Sequence, residues 1–321
     1  MTMLLKGRLS PSRPPIVRLN GVLIRYVTQV KYLGVTMSER MCFTPHLVSL
    51  RERLQAIVGQ VRRVVRFDWG LSRRAVRTVY RGLFVACATY GAAIWYESAL
   101  KSVGKRHLMA CQRIMLLACL PVCRTVSTDA LQVLLGAPPL DLLVVQRAVA
   151  FRLRRRLCMP LRVGWLSDGD VGRGFLECKR LLNECMLRGW QNRWDNSSKG
   201  RVTYEYIRDV SFVGENPDFG FSLSLGFLLT GHGPLNAYLH ERHLSTSEEC
   251  VCGSAREDWV HVLCECPMYS DIRNLAGVGI RWTDGRYDVS GVIANRRNVE
   301  MLGQYACEVF RRRRNLRRSV D

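Results

Sequence analysis

The strongest local pattern in the chain is CVCGSAREDWVHVLCEC, which occupies residues 250–266. One residue separates its first two cysteines, eight separate Cys252 from His261, and four separate His261 from Cys266. A structural zinc ion is held by four cysteine or histidine ligands in a tetrahedron, and two close pairs joined by a short loop supply them. Gly253 follows the first pair, where the chain has to reverse in a tight turn. The spacing predicts a small zinc knuckle whose ligands are Cys250, Cys252, His261 and Cys266.

The same stretch leaves other arrangements open. Cys264 lies three residues after His261, so this pair is also spaced to bind one ion. His243 lies upstream and is a further candidate to replace one of the ligands. A cysteine-rich turn that packs without a metal is the remaining alternative.

The chain is strongly basic. Its 321 residues include 48 Lys and Arg against 27 Asp and Glu, which gives a formal charge of +21. With 48% hydrophobic residues the chain can also bury a sizeable core, and this combination favours a nucleic-acid partner over a merely basic protein. The arginines that we expect to contact phosphate form three groups: Arg62, Arg63 and Arg66; Arg152, Arg154, Arg155 and Arg156; and Arg311, Arg312, Arg313 and Arg314.

Two of these groups also have a purely structural interpretation. The second group ends a predicted helix, where positive charge suits the helix dipole. The third group lies near the end of the chain and fits a disordered basic tail, which is compatible with non-specific phosphate contacts.

The thirteen cysteines favour a reducing compartment. No secretory signal precedes them, and most lie among apolar residues, as free core thiols do. The longest uncharged apolar run covers residues 82–96 and is shorter than the roughly 20 residues that a membrane span needs. We therefore expect no membrane association.

The hydrophobic pattern predicts a mainly α fold that begins with β structure. Two strands are expected at residues 22–26 and 30–35, joined by a short turn. From Thr44 the apolar residues recur every three or four positions, which predicts helices. The predicted helices cover residues 44–64, 73–95, 103–120, 127–135, 140–157, 175–194, 221–244 with an interruption at 231–234, 267–275, and the segment that ends at 314. A short strand at 202–207 and a polar loop at 281–287 complete the prediction.

Signatures of catalysis are weak. The chain has no phosphate-binding Gly-x-x-x-x-Gly-Lys loop, no His-Glu-x-x-His and no Gly-x-Ser-x-Gly. Phosphoryl transfer with two metal ions needs clustered carboxylates, whereas the aspartates here are scattered along the chain. The residues alone therefore predict binding rather than catalysis.

Several short motifs, taken in order, resemble one family. They are KYLGV at 31–35, TPH at 44–46, WQNRW at 190–194, GRVT at 200–203, LTGHG at 229–233, Tyr238-Leu239, CVCG at 250–253, Glu257-Asp258, His261 and CPMY at 266–269. This set is similar to the thumb and Cys-Cys-His-Cys region of reverse transcriptases from non-LTR, LINE-type retrotransposons. It is most similar to the arthropod type-1 elements that insert into ribosomal RNA genes.

The resemblance implies a division of the chain. Residues 1–40 would end a polymerase palm, with Tyr32, Leu33 and Gly34 in its primer grip. Residues 41–163 would form a helical thumb, 164–249 a helical connector, 250–266 the knuckle and 267–321 a basic helical tail. Residues 164–321 would together bind nucleic acid. Fingers, palm and Mg²⁺-binding aspartates would precede Met1, so the resemblance implies a fragment and assigns no catalytic residue within it.

The function implied is that of the C-terminal part of an RNA-directed DNA polymerase, which binds template–primer and target during target-primed reverse transcription. Its partners would be element RNA, RNA–DNA or DNA duplex, and target DNA. Structural zinc would be its own cofactor, whereas Mg²⁺ would belong to the palm. The resemblance also implies that the protein is synthesised in the cytoplasm and acts in the nucleus. Two alternatives stay open: an endonuclease region using Asp271 or Asp284, and a stand-alone zinc-knuckle protein without catalysis.

Overall fold

The computed structural model describes residues 2–5, 16–64, 72–156, 165–166, 170, 172, 174–216, 221–275, 280–283, 286–293 and 295–318. These residues are mainly helical, with three antiparallel two-stranded hairpins. The chain forms two compact units. The first comprises Met1–Gln60, Arg81–Ile114 and Pro139–Met186, and the second comprises Val61–Tyr80, Met115–Pro138 and Leu187–Asp321. The predicted boundaries at 40, 163, 249 and 266 stay predictions.

The strands are β1 (Arg18–Leu19), β2 (Val22–Leu23), β3 (Gln29–Tyr32), β4 (Val35–Ser38), β5 (Arg281–Thr283) and β6 (Arg286–Asp288). The helices are α1 (Thr44–Val64), α2 (Arg73–Val79), α3 (Ala86–Ala88), α4 (Ala92–Leu100), α5 (Ser102–Cys119), α6 (Thr128–Leu135), α7 (Leu140–Arg154), α8 (Phe175–Asp195), α9 (Arg201–Tyr206), α10 (Phe212–Glu215), α11 (Leu223–Thr230), α12 (Asn236–Glu241), α13 (Ser270–Leu275) and α14 (Arg296–Arg318). Two π-helical segments, Tyr80–Val85 and His261–Glu265, and two 3-10 turns, Pro267–Tyr269 and Ser290–Ile293, lie between them.

The pairing predicted for the first strands is wrong. Residues 22–26 and 30–35 do not pair with each other; β1 pairs with β2, and β3 pairs with β4. Leu33 and Gly34 form the two-residue turn of the second hairpin, with φ of 45° and 84°. A tight hairpin of this kind needs positive φ at both turn residues. The KYLGV motif therefore spans a turn rather than a single strand.

The helix predicted to run to Trp95 ends earlier. The helical segment runs from α2 through the π-helical residues Tyr80–Val85 and ends with α3. A turn at Gly91, with φ of 63°, follows, and α4 then begins in a new direction. The Trp95 indole donates to the carbonyl of Tyr90 across this turn at 2.9 Å. A Cβ on Gly91 would lie 2.8 Å from a methyl of Val35, so glycine is required both by φ and by the packed hairpin.

In the first unit, α4 packs against α7. Phe84 and Trp95 are fully buried in this unit. A further cluster joins the end of α7 to α8 through Val145, Val149, Leu166, Cys178 and Leu182. Cys178 is therefore a core thiol, as its place on an apolar stripe predicts.

Helix termini in the second unit follow the sequence signals. The Ser127 hydroxyl accepts from the Ala130 amide at 3.2 Å and caps α6, and Gly136 ends this helix with φ of 65°. Trp190 and Trp194 of α8 are buried, so they pack in the core rather than stack on bases.

Two further predictions for the second unit are wrong. Residues 201–206 are helical rather than a strand, because Thr203 donates to the carbonyl of Leu229 and tertiary packing overrides the local β preference. Residues 281–283 and 286–288, predicted as a loop, are the paired strands β5 and β6, in which residue 282 pairs with 287.

No single helix in the described part of the chain is long and apolar enough to cross a membrane. Two bent pairs of helices have the length and composition of a membrane span, on these two criteria alone. They are Arg74–Ala88 with Ala92–Leu100, and Thr128–Leu135 with Leu140–Arg154. Buried core helices of soluble proteins meet the same two criteria.

Candidate metal centre

The structure brings four predicted ligands together. One ligand atom from each of Cys250, Cys252, His261 and Cys266 lies within 4.8 Å of every other. The sulfurs of Cys250 and Cys266 are 3.9 Å apart, and the Cys252 sulfur is 3.2 Å from Nε2 of His261. A tetrahedron built on Zn–S bonds of about 2.3 Å has edges of roughly 3.8 Å. Three sulfurs and one imidazole nitrogen at this spacing fit a structural zinc ion.

A tight turn presents the first two cysteines. The Cys250 amide donates to the Ser254 carbonyl at 2.8 Å, and the Gly253 amide donates to the Cys250 carbonyl at 2.9 Å. Gly253 has φ of 93°, a conformation that side-chain-bearing residues rarely adopt. The glycine therefore lets two cysteines only two positions apart face the same point.

A π-helical turn presents the other two ligands. The Cys266 amide donates to the His261 carbonyl at 2.7 Å, which is the i to i+5 bond of a π-helix. In an α-helix the residue facing His261 would lie three or four positions on, which would favour Cys264. The wider turn places Cys266 beside His261 instead, and Cys264 is outside the four-residue group. Exposed His243, the other candidate, is outside it too.

Carboxylates orient the histidine. Oε2 of Glu265 lies 3.4 Å from Nδ1 of His261, while Nε2 faces the cysteines. The His261 amide donates to Oδ1 of Asp258 at 3.0 Å, which holds the start of the π turn. A ligating histidine commonly bonds its second ring nitrogen to a carboxylate, which fixes the tautomer and raises the basicity of the ligand.

The thiols differ in their acidity. Burial raises the pKa of the Cys250 thiol to about 12 and also raises the pKa of Cys266. Burial opposes ionisation of Cys252 too, but hydrogen bonds from the Ser254 backbone and from neighbouring ligands outweigh it and lower the pKa to about 7. A bound dication favours the thiolate at all three positions, so metal uptake would release protons.

Distant side chains hold the π turn in place. Nε of Arg273 donates to the Leu263 carbonyl at 2.7 Å, and its Nη2 donates to the Cys266 carbonyl at 2.8 Å. The Tyr305 hydroxyl donates to the Val262 carbonyl at 2.5 Å. These contacts satisfy carbonyls that the end of a helix leaves open.

A buried ion pair fastens the knuckle loop to α14. Arg313 pairs with Glu257, and both side chains are buried. The Glu257 carboxylate also accepts from the Asn236 amide at 2.7 Å, and Arg313 donates to Oδ1 of Asn236 at 2.6 Å. Sequence reasoning missed this support because its members lie up to 77 residues apart and follow no periodic pattern.

The prediction for Arg313 is corrected by this burial, since an arginine inside an ion pair does not face solvent phosphate. Arg312 is bound to Asp271 by two bonds of 2.6 and 2.9 Å and also contacts Glu308 at 2.8 Å. Arg311 pairs with Glu308 at 2.6 Å, and Arg314 is exposed.

The other predicted arginines mostly face solvent. Arg62, Arg63, Arg154, Arg155 and Arg156 are exposed, and Arg66 lies outside the described residues. Arg152 is partly buried, because its guanidinium lies 5.0 Å from the Tyr96 ring centre and donates to the Ala93 carbonyl at 3.4 Å. Arg152 thus also joins α7 to α4.

The predicted primer-grip residues form the tip of the β3–β4 hairpin, where Tyr32 and Leu33 are largely exposed. The hydroxyl of Tyr90 donates to the Leu33 carbonyl at 3.0 Å, and Arg53 donates to the Gly34 carbonyl at 3.5 Å. The turn is therefore held from both sides.

The chain is similar over nearly its whole length to known proteins. The chain is 45% identical over 319 residues to the retrovirus-related Pol polyprotein from type-1 retrotransposable element R1 of Bradysia coprophila, covering 99% of this chain and 32% of that protein. It is 41% identical over 323 residues to a Pol polyprotein of element R1 3 from Nasonia vitripennis, covering 97% and 84%.

A shorter similarity, 25% over 95 residues, joins the chain to the RNA-directed DNA polymerase from mobile element jockey of Drosophila melanogaster, covering 30% of this chain and 10% of that protein. The chain spans about a third of the Bradysia relative. No protein-family model and no solved structure matches it.

Proposed function

The chain belongs to the Pol polyproteins of R1 type-1 retrotransposable elements, and we propose that it holds nucleic acid for the reverse transcriptase of such an element through a zinc knuckle. The group of Cys250, Cys252, His261 and Cys266 carries this proposal, because its donor set and spacing fit structural zinc. Zinc would stabilise a fold that presents a basic surface, without taking part in chemistry.

The charge of the chain supports a polyanionic partner. Exposed Arg62 and Arg63 on α1 and Arg154 to Arg156 after α7 would contact phosphates without reading sequence. In this proposal residues 1–40 complete a palm, residues 41–163 act as the thumb, and residues 164–321 bind element RNA or target DNA in the nucleus. Tyr32 to Gly34 would face the primer.

The endonuclease alternative is less well supported. Asp271 accepts two hydrogen bonds from Arg312, so its carboxylate is already engaged and its charge is compensated. The pKa of Asp271 is lowered, chiefly by this hydrogen bonding. Among the residues that the structure describes, the knuckle is the one group of three or more His, Cys, Asp and Glu placed to hold a metal. Asp284 lies outside the described residues.

A double variant tests the proposal. Cys250→Ser with His261→Ala removes one ligand from each pair, so we expect bound zinc to fall from one per chain to none. The affinity for a fluorescent 20-nucleotide RNA, measured by anisotropy, should fall at least tenfold. Cys178→Ser changes a buried core thiol outside the knuckle and serves as the control. Unchanged zinc in the double variant would refute the ligand assignment, and unchanged affinity would refute the role of the knuckle.

A further inference from the structure

A polar cluster lies outside the knuckle in the second unit. The exposed hydroxyl of Thr125, in the loop before α6, is 3.0 Å from Nδ1 of His232 and 2.5 Å from the hydroxyl of Tyr238. The rings of His232 and Tyr238 stack, with centres 4.9 Å apart and planes 29° apart. Two side chains, 107 and 113 residues away in the chain, thus converge on the Thr125 hydroxyl. None of these three residues belongs to the metal centre.

The hydrogen bonds define the open end of the cluster. The threonine hydroxyl has one hydrogen, so it donates to one neighbour and accepts from the other. A phenol is more acidic than an aliphatic hydroxyl, which favours donation from Tyr238 to Thr125 and from Thr125 to Nδ1 of His232. The imidazole hydrogen then resides on Nε2 and points away from the threonine. Burial and the positive charge of Arg242 lower the pKa of His232, which keeps the ring neutral.

A cation adjoins the cluster. The guanidinium of exposed Arg242 lies 5.5 Å from the Tyr238 ring centre. Neighbouring Glu241 is bound by Arg256 at 2.8 Å, and no carboxylate of the described residues lies within ion-pair distance of Arg242. A guanidinium placed over a ring keeps its N–H edge available for a phosphate. The cluster therefore combines one positive charge with a neutral N–H donor.

The cluster is tied to the knuckle by α12. The Glu257 carboxylate accepts from the Asn236 amide, and the Glu257 carbonyl accepts from the Ala237 amide at 3.1 Å, so the knuckle loop caps the start of this helix. His232 precedes α12, Tyr238 lies within it, and Arg242 ends it. Six helical residues extend about 9 Å. One short helix therefore joins the cluster to the loop that carries the knuckle.

We infer that Arg242 and Nε2 of His232, whose ring is oriented by the Thr125 hydroxyl, form a binding site for one backbone phosphate of a nucleic-acid strand. The inference rests on the proposed function, since it presumes that the knuckle region binds nucleic acid. It also gives a role to His232 and Tyr238, which belong to the motifs that precede the knuckle.

Salt-dependent binding tests the site with the full chain and a fluorescent 20-nucleotide RNA and DNA of the same sequence. Arg242→Ala should weaken binding about tenfold, as loss of a charge-assisted contact does. It should also lower the slope of log affinity against log salt by about 0.7. Arg242→Lys should keep the slope. Arg180→Ala is the matched control, because Arg180 is also exposed but already paired with Glu177 and Glu184.

His232 separates a binding role from a structural one. His232→Gln keeps an N–H donor near the position of Nε2 and should retain most of the affinity, whereas His232→Leu should lose about fivefold. If these variants lose more affinity for RNA than for DNA, the phosphate at the site comes from RNA. Equal losses of affinity would mean that the site accepts a phosphate from either RNA or DNA. The proposed site would be overturned if Arg242→Ala and His232→Leu bound with the same affinity and the same salt slope as Arg180→Ala. No binding by the wild-type chain would instead refute the proposed function.

Discussion

At the scale of single residues, His46 shows how burial controls charge. Nδ1 accepts from the Thr36 amide at 3.4 Å, and the ring lies 5.3 Å from that of Trp95. Nε2 is buried and has no partner among the described residues. Burial, followed by the charge of Arg53, lowers the pKa of His46 to about 4. The neutral ring therefore joins the β3–β4 hairpin to α1.

The pH dependence of stability follows from this pKa. Between about pH 6.5 and pH 4 the unfolded chain binds a proton at His46 that the folded chain does not, so stability falls as the pH falls. One pKa unit corresponds to about 1.4 kcal/mol, which limits the loss to about 3 kcal/mol. Urea unfolding at pH 7 and pH 4.5 measures it.

Replacement of His46 by Phe should remove this component of the pH dependence, because the ring still stacks but cannot be protonated. Exposed His240→Phe is the control and should leave the dependence intact. An unchanged difference between pH 7 and pH 4.5 in the His46 variant would contradict the assignment of a neutral buried imidazole.

At the scale of elements, the π turn His261–Glu265 selects the fourth ligand. Cys266→Ser should lose bound metal, because its sulfur is 3.9 Å from that of Cys250. Cys264→Ser should keep one metal ion per chain, because this thiol is outside the group. Cobalt substitution measures both, since the absorption bands of Co²⁺ report tetrahedral thiolate ligation. The opposite pattern would mean that His261 and Cys264 form the pair.

The junction of α4 and α5 depends on a glycine. A Cβ on Gly104 would lie 1.8 Å from the Ser98 carbonyl oxygen, which is backbone and cannot move aside cheaply. Gly104→Ala should therefore destabilise the chain by about 2 kcal/mol or more in urea unfolding. Gly59 of α1 has open space around it, so Gly59→Ala should stabilise by about 0.5–1 kcal/mol. Equal effects of the two substitutions would argue against the close approach.

Element prediction succeeded where the local signal agreed with the packing. The three-to-four spacing predicted the ends of α5 and α6 to within a residue or two. The prediction failed at 202–207, where β-branched and aromatic residues favour a strand but Thr203 is bonded to Leu229. It also failed at the KYLGV turn, because positive φ at Leu33 has no signature in a leucine.

At the scale of the whole molecule, the sequence predicts the metal ligands of the candidate site but not the contacts that hold the ligand-bearing turns in place. The spacing of cysteines and histidines is a short-range pattern, so it can be recognised without knowledge of the fold. The ion pair of Glu257 with Arg313 and the Arg273 contacts join residues that are distant in the chain. For the same reason, sequence reasoning grouped Arg313 with solvent-facing arginines and left the convergence of Thr125, His232 and Tyr238 unseen.

We propose that zinc at the knuckle maintains nucleic-acid binding. Reversible metal removal from the wild-type chain tests it most directly, with zinc content and RNA affinity measured on the same sample. We predict one zinc per chain, at least a tenfold loss of affinity on chelation, and recovery with Zn²⁺ but not with Mg²⁺. A metal-free chain that binds RNA as tightly as the zinc-loaded chain would contradict the claim.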